Sequence, residues 1–258
     1  MHRTTDMSTQ NDSSEYEWPQ RRGSAEHGAA RGLMSEKQNK DTAILRKEIA
    51  MKYVIAINRE YGSGGKTVGE MLARDLGISY YYKDLERLAE EESGINEALF
   101  VAAFDKTKSV RSFLNNGNTI YKTGDLLGPD SPDFTSPKNL FNYQAKVIRR
   151  LAEEENCVII GHCGGYILED MDHVIRVFVH APKEVLIEEA SRKQSLSRAE
   201  LDKYVDMINR NRAEFYEKYT GRKWYDTRNY DLCLNSGRLG FEKCVDIIKG
   251  YMKVRFGE

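Results

Sequence analysis

The 258-residue chain has few cysteines, almost no net charge and no long apolar run, and each shortage narrows what the protein can be. Its four cysteines, Cys157, Cys163, Cys233 and Cys244, are widely spaced. They form no C-x-x-C pair, which removes the usual signal for zinc or dithiol redox chemistry. Cys157 and Cys233 abut aliphatic residues in strand-like runs, so buried thiols and a reducing, cytoplasmic setting are expected. No stretch approaches the roughly 20 apolar residues that span a bilayer, and the N-terminus lacks the apolar core of a signal peptide. A formal net charge of −1 exerts no overall pull toward nucleic acid or anionic lipid. Neither is expected as a partner, and any polyanion must be held by a local cluster of basic groups.

What is present is an ordinary globular composition, 40% hydrophobic and 31% charged, distributed unevenly. Residues 1–50 are polar, mixed in charge and almost free of aliphatic side chains. Such a segment buries too little apolar surface to offset the entropy of ordering it, so it reads as a disordered tail. Met51 falls immediately before the first core strand, and the tail is expected to be dispensable to a domain spanning 51–258.

Within that domain strands and helices alternate. Tyr53-Val-Ile-Ala-Ile57 is an uninterrupted β-prone run, as for a strand covered on both faces. Val68, Met71, Leu72 and Leu76 repeat at helical spacing and predict a helix from about Lys66 to Leu76, stopped by Gly77. A strand at Ile78–Tyr82 and a helix from Asp84 to about Glu92 follow. After another helix through Leu140–Leu151 come strands at Cys157–Ile160 and Val174–Val179. Pro182 suits the first turn of the next helix, and Ser197-Arg-Ala-Glu200 has capping-box spacing for a long one. Tyr230–Leu234 reads as the last strand and Phe241–Met252 as the closing helix. Strands separated by helices predict an α/β fold, a parallel sheet with helices on both faces. The stretch Thr107–Lys138, rich in Asn, Gly, Ser, Asp and Pro, reads either as a binding segment or as disorder.

The first strand runs into Asn58-Arg-Glu-Tyr-Gly-Ser-Gly-Gly-Lys-Thr67 and then into a helix. Consecutive glycines let backbone N–H groups converge where side chains would otherwise block a phosphate. The helix just beyond adds the positive end of its dipole. A plain turn is the competing reading, and strand, helix and terminal Lys-Thr together favour a phosphate loop. The match to G-x-x-x-x-G-K-[ST] admits two registers. With Gly65-Lys66-Thr67 as the terminal G-K-T, the first glycine becomes Glu60, Lys66 keeps its catalytic place and Thr67 supplies a hydroxyl to Mg²⁺. With Gly62-Ser63-Gly64 before the lysine position, Gly65 takes that position, Lys66 sits at the hydroxyl and Arg59 replaces the first glycine. A nearby cation must then substitute for the lysine.

Ile55-Ala-Ile-Asn-Arg-Glu-Tyr-Gly-Ser-Gly-Gly-Lys-Thr-Val-Gly69, with Tyr81-Tyr-Lys-Asp84, resembles the cytidylate kinase-like family, a divergent branch of P-loop nucleoside monophosphate kinases. Further matches are Val158-Ile-Ile-Gly-His-Cys-Gly-Gly-Tyr-Ile-Leu168, Arg176-Val-Phe-Val-His-Ala-Pro182 and Asn229-Tyr-Asp-Leu-Cys-Leu-Asn-Ser236. The resemblance runs through residues 51–255 and favours the ungapped register, with Gly65 in the lysine place. It implies a three-layer P-loop NTPase-type fold with a helical lid at about 190–228. The family usually carries arginine where this chain has Lys66 and His162.

Phosphoryl transfer needs positive charge around the transferring oxygens more than covalent chemistry. Arg192, Arg210 and Arg212 resemble by position the lid arginines of such kinases, although solvated faces of charged helices look the same in sequence. Asp84 falls where the family faces its acceptor, and it is equally a common N-cap. His162 and Cys163 follow a strand, where open α/β sheets place ligands, yet a His beside a Cys is commonly packing. Tyr216, Tyr219, Trp224 and Tyr225 read as anchors of the lid on the core. The expected function is ATP–Mg²⁺-dependent transfer to a small acceptor, a nucleoside monophosphate such as CMP, with Gly62, Ser63, Gly64, Gly65, Lys66 and Thr67 holding the nucleotide. The alternative is a nucleotide-binding sensor without transfer activity.

Overall fold

The computed structural model describes residues 52–104 and 125–257. The polar tail and most of the irregular middle, at 105–124, lie outside the described residues. Five strands form one sheet: β1 (Val54–Arg59), β2 (Ser79–Tyr81), β3 (Cys157–Ile160), β4 (Val174–His180) and β5 (Leu232–Asn235). Their order is β2-β3-β1-β4-β5, and every neighbouring pair is parallel. Every strand therefore points its C-terminal end to the same edge. The chain turns to opposite sides of β1 in its successive crossovers, which opens a crevice at that end of β1. β1 runs two residues past the apolar stretch because Asn58 and Arg59 keep their ladder partners, Phe178 and Val179.

The alternation of β1 decides the layers. Val54 and Ala56 face a cluster built from Leu85, Phe141, Ile148 and Phe215. Ile55 and Ile57 face Val68, Leu72, Val245 and Ile248. One face is thus covered by α1 (Gly65–Leu76) and the closing helix α9 (Phe241–Phe256). The other is covered by α2 (Asp84–Ser93), α3 (Glu97–Ala103), α4 (Pro137–Glu154) and the C-terminal half of α7 (Arg198–Thr220). Burial of each isoleucine contributes about 1.5–3 kcal/mol. A carboxylate in place of Ile57 would sit unpaired between the sheet and α1 and disrupt this layer. Two one-turn helices, α5 (Gly164–Ile167) and α8 (Ser236–Leu239), leave β3 and β5, and α6 (Lys183–Ser191) leaves β4.

The predicted capping box is present: the Ser197 hydroxyl accepts from the Glu200 amide and the Glu200 carboxylate accepts from the Ser197 amide. The N-terminal part of α7 packs Leu201 and Val205 against Leu186, Ile187 and Ala190. Its far end is an aromatic anchor. Tyr219 stacks on Phe141 at 4.2 Å, and Trp224 meets Phe178 edge-on at 5.2 Å. Tyr216, Tyr219 and Trp224 are buried as expected, whereas Tyr225 is 52% exposed. At the start of α4 the buried Asn139 side chain bonds to the backbone of Leu127 and Phe134, fixing the described end of the irregular segment.

Cys157, Cys163 and Cys244 are buried, but Cys233 is exposed. β5 is an edge strand, and its alternation sends Leu234 inward and Cys233 outward. Among the described residues no helix is long and apolar enough to cross a membrane.

Candidate active site

The glycine loop joins β1 to α1 at the C-terminal edge of the sheet, beside the crevice. Gly64 caps α1 in the left-handed region at φ 71°. A Cβ at Gly64 would stand 2.2 Å from the Phe241 ring, so only glycine lets the loop turn under the start of α9. The first-turn amides of α1 have no partners within the helix, as at any helix start. Together with the helix dipole they make an anion-binding end.

The rest of the loop is held by its neighbours. The Glu60 amide donates to Val179 O at 3.0 Å, and the Tyr61 amide donates to Asn209 Oδ1 on α7 at 2.7 Å. The Ser63 hydroxyl donates to Glu60 O at 2.9 Å. Ser236 Oγ lies 2.6 Å from Ser63 O, tying the loop to α8. Glu60 Oε2 accepts from the Ala181 amide at 3.2 Å. Burial raises the Glu60 carboxyl above its ordinary range, against the pull of the Ala181 amide. Five hydrogen bonds, four of them to residues outside the loop, therefore fix its path before any ligand arrives.

Two guanidinium groups meet beside it. Arg59 is 8% exposed, and its guanidinium carbon lies 5.3 Å from the centre of the Tyr82 ring. Arg212, from the middle of α7, donates through Nη1 to Arg59 O at 2.9 Å. It also lies 5.7 Å from the centre of the Tyr61 ring. Burial lowers both pKa values; Arg212 falls to about 9, with the charge of Arg59 adding to the effect. Neither has a carboxylate partner among the described residues. Other arginines on this side of the molecule do: Arg176 pairs with Asp231 at 3.0 Å and Arg222 with Glu169 at 2.7 Å.

The far wall is formed by the turn after β3. Gly161, His162 and Cys163 are all left-handed, at φ 80°, 53° and 56°. Consecutive non-glycine residues in this region are strained by roughly 1–3 kcal/mol each. The turn directs His162 inward, where its Nε2 donates to Tyr82 O at 3.1 Å and stands 3.8 Å from Glu86 Oε1. A cavity of about 20 Å³ is lined by Asn58, Arg59, Gly161, His162, Arg212 and Trp224. A larger one of about 200 Å³ opens on the other side of the loop's root, between Glu60, Phe178, His180, Tyr225 and Tyr230.

The sequence candidates separate on this map. Arg212 and His162 converge on the loop, together with the loop residues Gly62, Ser63, Gly64 and Gly65. Arg192 caps α6 with its side chain 62% exposed and paired to Glu188 and Glu189. Arg210 is exposed on α7. Lys66 is half exposed, 3.1 Å from Glu70 and 5.4 Å from the centre of the Tyr82 ring. Thr67 is half-buried in the first turn of α1. Asp84 is the exposed first residue of α2, while Glu86, two residues on, is the α2 carboxylate that reaches His162. Glu86 carried no signal in the sequence. In the sequence Arg59 stood in the loop only as a replacement for the motif's first glycine; its signal is a charge directly after a buried strand, and a buried charge is rare without a reason.

The profile of the cytidylate kinase-like family matches residues 54–238. No curated protein matches. A crystal structure of an uncharacterized protein from Eubacterium ventriosum ATCC 27560 superposes with a TM-score of 0.57 at 24% identity, covering 78% of this chain and 99% of that one. Shikimate kinase from Bacteroides thetaiotaomicron gives a TM-score of 0.45 at 17% identity, over 78% of this chain and 98% of that one. Deoxyadenosine kinase from M. mycoides gives 0.39 at 15%, over 78% and 98%. With a five-stranded parallel sheet layered by helices and a glycine loop at the end of β1, the chain has the P-loop NTPase-type fold and belongs to the cytidylate kinase-like family.

Proposed function

We propose that the protein transfers a phosphoryl group from ATP to a small acceptor, most specifically a nucleoside monophosphate such as CMP. The observation that carries this reading is the anion-binding end formed by the glycine loop and the start of α1. It is fixed in place beside a crevice that also receives Arg212. The loop amides would bind the donor phosphates. Arg212 would hold charge on the transferring oxygens, where a positioned arginine is worth on the order of 10³–10⁵ in rate. His162, aligned by Tyr82 O and Glu86, would orient the acceptor from the far wall.

Magnesium takes hard oxygen ligands and in such sites is held largely by substrate phosphates. Thr67 fits a supporting role, because its hydroxyl sits on the first turn of α1 next to the loop. The ion would neutralise charge on the donor phosphates. Of the arginines in the lid region at about 190–228, this reading uses Arg212, which bonds to Arg59 O at the root of the loop, and not the exposed Arg192 and Arg210. The described domain, from residue 52 onward, would carry the activity without the tail.

The test is incubation with ATP–Mg²⁺ and a panel of nucleoside monophosphates, following diphosphate formation. Transfer to CMP or UMP is expected. A second reading, a nucleotide sensor without turnover, is favoured by one observation: glycine stands at position 65 where the ungapped register calls for lysine. Tight ATP binding with no transfer to any acceptor would select it.

A further inference from the structure

We infer that Arg59 is the cation of the phosphate loop, taking over the terminal phosphates of a nucleoside triphosphate from the lysine that the loop lacks. The inference rests on the nucleotide-binding part of the reading above and not on the transfer step. In the ungapped register the lysine position is Gly65. A Cβ at Gly65 would stand 2.4 Å from Arg59 Cβ and 3.1 Å from Arg59 Cγ, so the stem of Arg59 already fills the space that a side chain there would enter. The arginine then reaches across to the end of β3. Its Nη1 is 2.2 Å from where a Cβ on Gly161 would be, and its planar group lies by the Tyr82 ring. The same charge is thus delivered to the same crevice, from the strand before the loop instead of the helix after it.

Three further observations favour a ligand over a plug for packing. First, Arg59 is buried and Arg212 is half-buried beside it, with no carboxylate between them among the described residues, so each raises the cost of the other's charge. An anion offsets that cost, whereas packing does not. Second, Arg212 Nε is buried without a hydrogen-bond partner, a donor left over once Nη1 has bonded Arg59 O. Third, the cavity of about 20 Å³ beside both side chains has room for roughly one water-sized atom. That suits one phosphoryl oxygen reaching between the guanidinium groups while the body of the ligand lies outside along the loop. Lys66, the competing cation, has its Nζ 5.4 Å from the centre of the same Tyr82 ring, but it is half exposed and already paired to Glu70, whereas Arg59 is buried.

The test compares wild type, Arg59→Gln, Arg59→Lys and Lys66→Ala by calorimetric binding of ATP and of inorganic tripolyphosphate. Thermal unfolding with and without tripolyphosphate is followed in parallel. Removing a charge-assisted contact of this kind weakens binding at least about tenfold. Arg59→Gln should therefore lose at least that factor for both probes and its thermal shift, Arg59→Lys should recover part of it, and Lys66→Ala should change by less than threefold. The lysine variant keeps the test open if the glutamine variant does not fold. Unchanged binding in the Arg59 variants, or a larger loss in Lys66→Ala, overturns the inference while leaving nucleotide binding intact. A wild-type protein that binds ATP but transfers to no acceptor removes only the kinase reading, and the ranking of variants still supports Arg59. A wild type that binds neither probe overturns both.

Discussion

At the scale of single residues, Arg212 sets function against stability. The residue is half-buried, has Arg59 as a neighbour and leaves a buried Nε unmatched. A half-buried charge beside a like charge is costly, and an apolar side chain of similar length removes that cost. Arg212→Met is therefore expected to hold or raise the urea midpoint while phosphoryl transfer falls on the order of 10³-fold. A midpoint drop of the size seen for a lost core residue would show that the guanidinium is structural. Gly65 provides the converse case. A glycine at the start of a helix gains up to about 1 kcal/mol when replaced by alanine. Here the new Cβ would meet Arg59 Cβ at 2.4 Å, an atom that cannot swing aside. Overpacking costs typically 1–3 kcal/mol and should win. Gly65→Lys, which restores the usual loop spelling, should thus lower stability in a urea titration and leave transfer no faster.

The same scale explains why three arginines looked alike in sequence. Arg210 and Arg212 are two residues apart on one helix, about 200° around its axis, so one can face the loop only if the other faces away. That much was available from spacing alone. Which of them faces inward depends on Val205, Ile208 and Phe215, whose burial orients α7. Arg59 fell in the loop, two residues past the strand expected at Tyr53–Ile57, and neither its place on β1 nor its reach to Gly161 was legible. The two positions are far apart in sequence, and nothing local encodes their contact.

At the scale of elements, α7 and the β4–β5 pair make separable contributions. The Ser197 cap satisfies amides at the start of α7, and Ser197→Ala should cost about 1 kcal/mol in chemical denaturation. Because Asn209 and Arg212 lie far along the same helix, nucleotide binding should be little changed by that loss. Between β4 and β5, burial pushes the Asp231 carboxyl up, but hydrogen bonds from the Arg176 side chain and amide, with the charge of Arg176, together draw it below the ordinary range. A depressed carboxylate contributes stability that is complete above its unfolded value, near pH 4, and is lost as pH falls through the folded value. Wild type should therefore lose stability on acidification below about pH 4. Asp231→Asn should start lower at neutral pH and show a flatter acid limb, as read from unfolding curves at stepped pH. The strands and helices themselves were legible because apolar runs and helical spacing coincide with burial. The short α3, α5 and α8 were not, since one or two turns carry no period.

At the scale of the whole molecule, the three apolar clusters draw on residues from Tyr53 to Phe256. A chain beginning at Met51 is expected to unfold at the same temperature as the full chain, within a degree or two by calorimetry. A large drop would assign residues 1–50 a structural part. The P-loop layering was legible from strand and helix alternation, but the identity of the acceptor was not, because it depends on how α2 and the turn after β3, far apart in sequence, come together around His162.

The exposed edge of β5 has a practical consequence. Of the four thiols only Cys233 reaches solvent, and it does so at the rim of the aromatic cavity by the root of the loop. Burial of its neighbourhood raises its pKa, so alkylation will be slow at neutral pH and faster in mild alkali. The native protein thus offers a single address for an environment-sensitive dye. A fluorophore attached there would report, without any engineered cysteine, whether nucleotide arriving at the loop is felt on the opposite side of Glu60.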